Sequence, residues 1–413
     1  MLQATNCLLA INNYYYPRGG AEVLYLEHNR MFENIGWQVV PFAMRHPNNL
    51  ATPWSEFFPD EIEFGASYGI AEKLARAPRV IYSLQARRRL RALLDTVRPR
   101  IAHVHNIYHH LSPSVLPLLE ARGVPVVMTV HDLKLACPAY TMTLHGEPCE
   151  RCRGGKLYNV ALNRCIKGSL ALSSLVMAES YLHRLLRLYD ANVDRFVAPS
   201  RYVIDTLVEW GWARERFVHI PNFVDTGRFK PAKRAGRRFV YCGRLDKLKG
   251  VETLVRAAAA ARQPLTLVGA GAMEPALRAL AETLGADVMF AGHLSKDALV
   301  TVIQEARAVV VPSEVQENAP LAALEAYAAG RPVIGARIGG IPELVREEET
   351  GVLFPSGDIA TLTHALARFA DLPDGRVDAM GAAARAWVER DFSTSVYLDR
   401  QLALYDTVAA HVS

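Results

Sequence analysis

Short apolar runs alternate along the chain with longer stretches in which apolar positions recur every three or four residues. The runs at Cys7–Asn12, Trp37–Phe42, Ile101–His105, Pro125–Val130 and Arg195–Ala198 predict strands, with helices such as Ala21–Asn34 and Ser112–Arg122 between them. Strand-helix alternation predicts a parallel sheet covered on both faces, an α/β class. The alternation restarts after residue 236, with strands at Phe239–Cys242, Leu265–Val268, Val288–Phe290, Val309–Val311 and Pro332–Ile334. Two Rossmann-like halves are the simplest architecture. Helical patterns follow at Ile359–Ala370, Val377–Arg390 and from Ser395 onward.

Between the halves, Ile220–Asp225 and Phe229–Gly236 are rich in Pro, Gly and charge and lack any period, as a linker does. This divides the chain into residues 1–225, 226–392 and a last segment, 393–413. One stretch breaks the alternation. Residues 137–168 are turn-rich and carry four of the six cysteines, and a mostly apolar helix with Arg184 and Arg187 follows over Ser169–Tyr189.

With 413 residues, 50% apolar and 22% charged, the chain is neither disordered nor fibrous nor a disulfide-dense mini-protein. No run of 18 apolar residues predicts a spanning helix, and Met1 leads into a strand without a basic flank, so a cytoplasmic protein is expected. The net charge of +5 is local. Residues 71–100 hold Lys73, Arg76, Arg79, Arg87, Arg88, Arg89, Arg91, Arg98 and Arg100 against Glu72 and Asp95, a net +7, which leaves −2 for the remainder. That field predicts an anionic partner such as lipid headgroups or a phosphorylated acceptor. No aromatic residues interleave there as in single-strand binders, so no nucleic acid is expected.

Candidate chemistry lies at strand ends. Glu317-Asn318-Ala319-Pro320-Leu321 and Glu325 place two carboxylates around a predicted helix start, with Pro320 suited to the first turn. Free amides there suit a diphosphate and the carboxylates suit sugar hydroxyls, although an acidic, solvent-facing helix start reads the same way. Cys242-Gly243-Arg244 follows a strand, and Lys249-Gly250 precedes a helix. Arg244 offers a planar fork and Lys249 a point charge for phosphate, or both are ordinary surface cations. Gly19 and Gly20 follow the first strand and permit close backbone approach, or simply a tight turn. His131 ends a strand, either meeting a sugar hydroxyl, assisting proton movement, or held by Asp132. His103 and His105 read as structural, lining the cleft at most. Neither Gly19-Gly20 nor Gly269-Ala270-Gly271 completes a dinucleotide fingerprint, which argues against an oxidoreductase.

Together these residues resemble the family 4 glycosyltransferases of GT-B fold. The resemblance covers Gly19–Glu22, His131-Asp132, Ile220–Asn222, Gly243-Arg244 with Lys249-Gly250, the Glu317/Glu325 pair, and the Gly339–Glu343, Gly351 and Gly357-Asp358 tail. It implies two Rossmann-like domains around a cleft, a last helix crossing back to the first domain, and retaining transfer of a sugar from a UDP- or GDP-sugar without a catalytic metal. By matching position, it implies diphosphate contacts from Gly20, Arg244 and Lys249, a donor contact from Gly243, and ribose contacts from Glu325. Donor contacts are further implied for Gly19, Leu294, Asn318, Ala319, Pro320 and Leu321, with Glu317 and His131 facing the sugar. The usual Gly-Phe-Gly-Leu after the first glutamate is here Asn318–Leu321, where Pro320 removes one amide. A GT-B epimerase or a non-catalytic nucleotide-sugar-binding scaffold is the alternative.

Cys137, Cys149, Cys152 and Cys165 predict a structural zinc site, with free thiols or disulfides as alternatives, and a subset of the family resembles this segment. Cys7 and Cys242 read as core packing. The insert, residues 71–100 and 169–189 are expected to form a surface for a saccharide or lipid-linked acceptor at a membrane.

Overall fold

The computed structural model describes residues 6–62, 78–232 and 234–410. The first sheet contains β1 (Cys7–Ile11), β2 (Gln38–Phe42), β3 (Ile101–Val104) and β4 (Val126–Thr129). After a small hairpin, β5 (Thr143–Leu144) and β6 (Glu147–Pro148), come β7 (Arg195–Ala198) and β8 (Phe217–His219). Its order is β2-β1-β3-β4-β7-β8, all pairs parallel. The second sheet holds β9 (Arg238–Cys242), β10 (Leu265–Val268), β11 (Val288–Gly292), β12 (Ala306–Val311), β13 (Val333–Ala336) and β14 (Gly351–Phe354). Its order is β11-β10-β9-β12-β13-β14, again all parallel. Both sheets are doubly wound, so both strand faces are covered, and the run Leu8–Ile11 is fully buried. The order reverses at β1/β3 and at β9/β12, and ligands in such folds sit beyond the strand ends at those reversals.

The helix Thr394–Ala410 packs on the first sheet although it follows the second in sequence. Leu404, Tyr405 and Val408 join Leu8, Ala10 and Ile101 in one core. Polar contacts reinforce this return. The Tyr397 hydroxyl meets His28 Nδ1 at 3.0 Å, and the Tyr405 hydroxyl meets both His28 Nε2 at 3.1 Å and His103 Nδ1. His103 Nε2 meets Thr129 Oγ1 at 2.7 Å. His28, His103 and His105 bring ring nitrogens within 4.8 Å of one another, but hydrogen bonds already occupy both nitrogens of His28 and His103. Burial holds His28 down to about 3 and His103 well below its ordinary value, so the cluster is neutral.

Several predicted elements shift by a residue or two, and Ser112–Arg122 divides into a 3-10 turn, Pro113–Val115, and the helix Leu116–Ala121. The apolar helix of the insert runs from Leu170 to Leu185. Within the basic stretch, Glu72, Lys73 and Arg76 lie outside the described residues. The helix Leu84–Thr96 buries Ala86, Leu90, Leu93 and Leu94. Several of its flanking cations have protein partners: Arg87 the Tyr82 hydroxyl, Arg89 the Glu56 carbonyl, and Arg100 Asp406 of the returning helix. Arg88, Arg91 and Arg98 remain exposed. Among the described residues no helix is long and apolar enough to cross a membrane.

Candidate donor-binding cleft

The C-terminal ends of β9 and β12 carry most of the candidate residues. Gly243 and Arg244 leave β9, Lys249 closes the turn Lys247–Lys249, and Glu317–Leu321 follow β12. Gly250 explains how these loops come together. It has φ +66°, and a Cβ there would stand 1.9 Å from the Pro312 carbonyl oxygen. Only glycine lets the Lys249 turn lie against the end of β12. Gly269 and Gly271 act similarly beneath the β9 loop, where Cβ atoms would meet the Gly243 and Leu245 carbonyls at 2.0 and 2.5 Å. They are packing glycines of that turn. Leu294 lies beyond β11, partly buried on the second core.

Pro320 is the N-cap of the helix Leu321–Ala328, one position ahead of the predicted first turn. Its φ of −65° still suits the entry; the Ala323 amide turns back to the Pro320 carbonyl at 3.2 Å, while the Leu321 and Ala322 amides remain without intrahelical acceptors. Opposite, the helix Gly20–Asn34 starts at Gly19-Gly20 with no side-chain cap. A Cβ on Gly20 would lie 3.8 Å from Leu321 Cδ1, so the two positive helix starts face each other across the cleft.

The charged groups divide into a paired set and a free set. Lys249 Nζ donates to Glu317 Oε1 at 2.6 Å, and Ser313 Oγ donates to the same oxygen at 2.7 Å. Arg244 has a side chain 72% exposed, touches Asp246 at 3.2 Å, and lies within electrostatic reach of Tyr140 from the cysteine insert. Glu325 is the odd member. Burial pushes its carboxyl up to about 7, with Lys296 pulling it back, and no side chain of the protein donates to it among the described residues. A half-buried carboxylate without a donor is ready for external hydroxyls.

His131 is held by His105, not by Asp132. Its Nε2 lies 2.8 Å from His105 Nδ1 with the rings stacked, while Asp132 Oδ1 accepts from the Lys134 amide at 2.9 Å. Among the described residues the buried His105 Nε2 has no partner. If His131 donated, His105 would carry its proton on that orphaned nitrogen, an unsatisfied N–H of about 1–3 kcal/mol. The opposite polarity strands only a lone pair. His105 Nδ1–H therefore donates, and His131 carries its proton on Nδ1. Burial lowers the His131 pKa to about 4, so it is a neutral donor at physiological pH. The alternation of His103 and His105 on one strand hid this second role for His105.

Contacts across the cleft were not legible in the sequence. Asn318 donates from Nδ2 to the Val130 carbonyl at 2.8 Å and accepts from Ser200 Oγ at 2.8 Å. Its side chain thereby clasps the two domains, leaving its backbone to the donor side. Glu343 accepts from the Arg201 and Tyr202 amides at 2.8 and 2.6 Å, capping a first-domain helix from the second domain. Asn222 donates to the Ala319 carbonyl at 2.8 Å, and Lys296 meets Glu27 at 2.5 Å.

The four insert cysteines are free thiols lining one cavity of about 10 Å³. Burial and the neighbouring thiols push Cys152 up to about 12. Among the described residues no three of their sulfurs come within 4.8 Å of one another, so as placed they are looser than a tetrahedral zinc set. Beside them Glu179 is fully buried. Burial would raise its carboxyl, but Lys134 at 3.2 Å and His109 at 2.9 Å hold it down to about 2. That network fastens the helix Leu170–Leu185 to the loop that carries His131.

Residues 18–228 match the family model described as Glycosyltransferase Family 4, and residues 236–371 match Glycosyl transferases group 1. A D-inositol 3-phosphate glycosyltransferase of Saccharomonospora viridis is 32% identical over 68% of this chain and 64% of its own length. A GDP-mannose-dependent monoacylated alpha-(1-6)-phosphatidylinositol monomannoside mannosyltransferase of Corynebacterium glutamicum is 31% identical over 52% of this chain and 62% of its own. The matches thus span less than two thirds of these relatives' lengths. Among solved structures, the sucrose-phosphate synthase of Thermosynechococcus elongatus superposes with a TM-score of 0.72 at 22% identity, covering 98% of this chain and 100% of that one, a likeness of fold.

Proposed function

The chain belongs to glycosyltransferase family 4, and from that premise we propose that it moves a hexose from a UDP- or GDP-sugar to a hydroxyl of a saccharide or lipid-linked saccharide, retaining the anomeric configuration. The observation that carries the reading is the unpartnered Glu325 carboxylate beside two facing helix starts, Arg244 and Lys249. Glu325 accepts from the ribose hydroxyls. Arg244, Lys249 and the first-turn amides after Pro320 take the charge that grows on the diphosphate as the anomeric bond breaks. His131 Nδ1–H donates to a sugar hydroxyl and takes no proton. Gly19, Gly20, Gly243, Leu294 and Ala319 line the donor.

Glu317 serves as a fixed negative charge near the oxocarbenium-like sugar. Lys249 and Ser313 already hold its Oε1, which disfavours covalent attack. The acceptor oxygen attacks from the face the nucleotide leaves, and a donor phosphate oxygen receives its proton. Product analysis tests this. With the cognate donor, proton NMR is expected to show a glycoside of the donor's own anomeric configuration, and EDTA is expected to leave the rate unchanged. An inverted glycoside contradicts retention, and a free epimerised sugar indicates an epimerase.

Two further assignments belong to this reading. The face formed by the helices Leu84–Thr96 and Leu170–Leu185 rests on a membrane. His183 Nε2 on the second helix donates to the carbonyl of Ile81, three residues ahead of the first, at 2.6 Å. Exposed Arg88 and Arg91 supply charge and exposed Leu185 supplies apolar area. Co-sedimentation with anionic vesicles is expected, at least threefold weaker for Arg88→Glu/Arg91→Glu; a protein that stays in the supernatant contradicts this. The insert also takes a structural zinc. The donor chemistry suits it, and the sulfurs of Cys137, Cys149, Cys152 and Cys165 draw in to the roughly 3.8 Å spacing of a four-thiolate set. Elemental analysis is expected to find one zinc per chain, and chelation to lower the melting temperature by several degrees. Metal-free protein with an unchanged melting curve in chelator removes the assignment.

A further inference from the structure

A second cavity, of about 400 Å³, opens beneath the helix Leu170–Leu185. It is separate from the donor cleft. The helix Arg201–Glu209 begins at Ser200, which holds Asn318 in the cleft, and ends beside Trp210 in the cavity wall. A helix of that length spans roughly 14 Å. The cysteine insert supplies one side of the cavity through Pro138, Cys152, Gly154, Gly155 and Leu157.

The wall joins aromatic carbon to positive charge. Leu135, Leu157, Tyr189, Trp210 and Trp212 provide the apolar part, and Lys134, Arg184 and Arg187 the cations, against Asp190 alone. Lys134 is committed to Glu179, whose side chain is 1% exposed. Arg187 and Asp190 form an exposed pair, worth little in water and free to exchange. Arg184 has no acceptor among the described residues, and its guanidinium lies over Gly155, where a Cβ would stand 3.2 Å from Nη1. Among the described residues the buried Trp210 indole N–H has no partner. Two donors thus lack protein acceptors, and a second guanidinium can join them. That set matches a group of charge near −2 with several acceptor oxygens better than a carboxylate.

The rim states what carries the anion. Leu185 is 78% exposed, and Leu186, Tyr181 and Tyr158 are exposed beside it. Tyr181 reaches the cavity edge through its hydroxyl, which donates to the Gly155 carbonyl at 3.3 Å. Apolar side chains leading outward from a cationic pocket suit a hydrocarbon chain attached to a phosphate.

We propose that this cavity binds a lipid phosphate, with the phosphate on Arg184, Arg187 and Trp210 Nε1 and the chain leaving past Leu185 and Leu186. The inference deepens the acceptor side of the proposed function and rests on it. It also gives the insert a task, since the insert builds a wall of the site.

Tryptophan fluorescence of the full chain tests this with farnesyl phosphate, dioctanoyl phosphatidic acid, farnesol and inorganic phosphate as probes. Saturable binding of at least one lipid phosphate, at least tenfold tighter than farnesol or inorganic phosphate, is expected. Arg184→Gln is expected to weaken it at least tenfold while leaving nucleotide binding unchanged in the same samples. Preference for farnesyl phosphate identifies a lipid carrier as the occupant, and equal binding of the two lipids identifies a bulk membrane phospholipid. Lipid phosphates binding no better than farnesol, or unaffected by Arg184→Gln, overturn the proposal. If UDP and GDP bind and lipid phosphates do not, this inference fails alone; if lipid phosphates bind and nucleotides do not, the donor site fails alone.

Discussion

Glu325→Gln is expected to weaken nucleoside diphosphate binding about 30- to 100-fold and to remove the pH dependence that this carboxyl gives it. The magnitude follows from the two hydroxyl donors of a ribose. Each charge-assisted hydrogen bond contributes roughly 1.5–3 kcal/mol, and an amide keeps one acceptor while adding a donor where none is wanted. The sign follows from the carboxyl's position near 7, raised by burial. Ribose hydroxyls donate, so they bind the ionised form. Below pH 7 the group must first lose its proton, and affinity falls toward tenfold per pH unit. Above 7 that contribution levels off. The terminal phosphate of the nucleotide also titrates near neutrality, so the informative quantity is the difference between the wild-type and Glu325→Gln profiles measured by calorimetry. A variant with wild-type affinity, or with the same pH slope, would place the ribose elsewhere.

The second large effect concerns the rate. Lys249→Ala and Arg244→Ala are each expected to lower kcat by about 10²–10³, the range found when one donor to a developing oxyanion is removed. The two should differ in KM. Arg244 points into solvent and pairs with the neighbouring Asp246, so it closes on the diphosphate when the donor arrives, and its loss raises KM as well. Lys249 is already fixed by Glu317. Its removal leaves that carboxylate with only Ser313, so kcat falls further than binding does. The double variant should fall short of the product of the two single effects, because both cations act on one charge. Steady-state kinetics with saturating acceptor reads this directly; a kcat within threefold of wild type for either variant contradicts its role.

Much of this site is readable from residues close in sequence. Cys242-Gly243-Arg244 sits between an apolar run and a helical pattern, so its place at a strand end follows from local periodicity. Glu317 and Glu325 flank Pro320, and a proline after a strand marks a helix entry even when, as here, it caps the helix instead of starting it. Contacts between distant residues carry no such mark. Asn318 looks like a donor ligand in a loop, yet its side chain reaches Val130 and Ser200 in the other domain. Nothing near Tyr405 announces that its hydroxyl joins His28 and His103. His105 alternates with apolar neighbours as any buried strand residue does, and only its place in the fold, 2.8 Å from His131 Nε2, gives it a say in the tautomer of His131. Spacing likewise identified the cysteines as a cluster without stating how closely their sulfurs approach.

The central claim is that one nucleoside diphosphate sits against Arg244, Lys249 and Glu325 at the ends of β9 and β12. Calorimetric titration of UDP and of GDP into the full chain, in EDTA, tests it most directly. One of the two is expected to bind one per chain, with at least tenfold preference over the other, and binding is expected to weaken at least tenfold in Arg244→Ala and about 30- to 100-fold in Glu325→Gln. A well-folded chain that takes up neither nucleotide would contradict the assignment of the cleft.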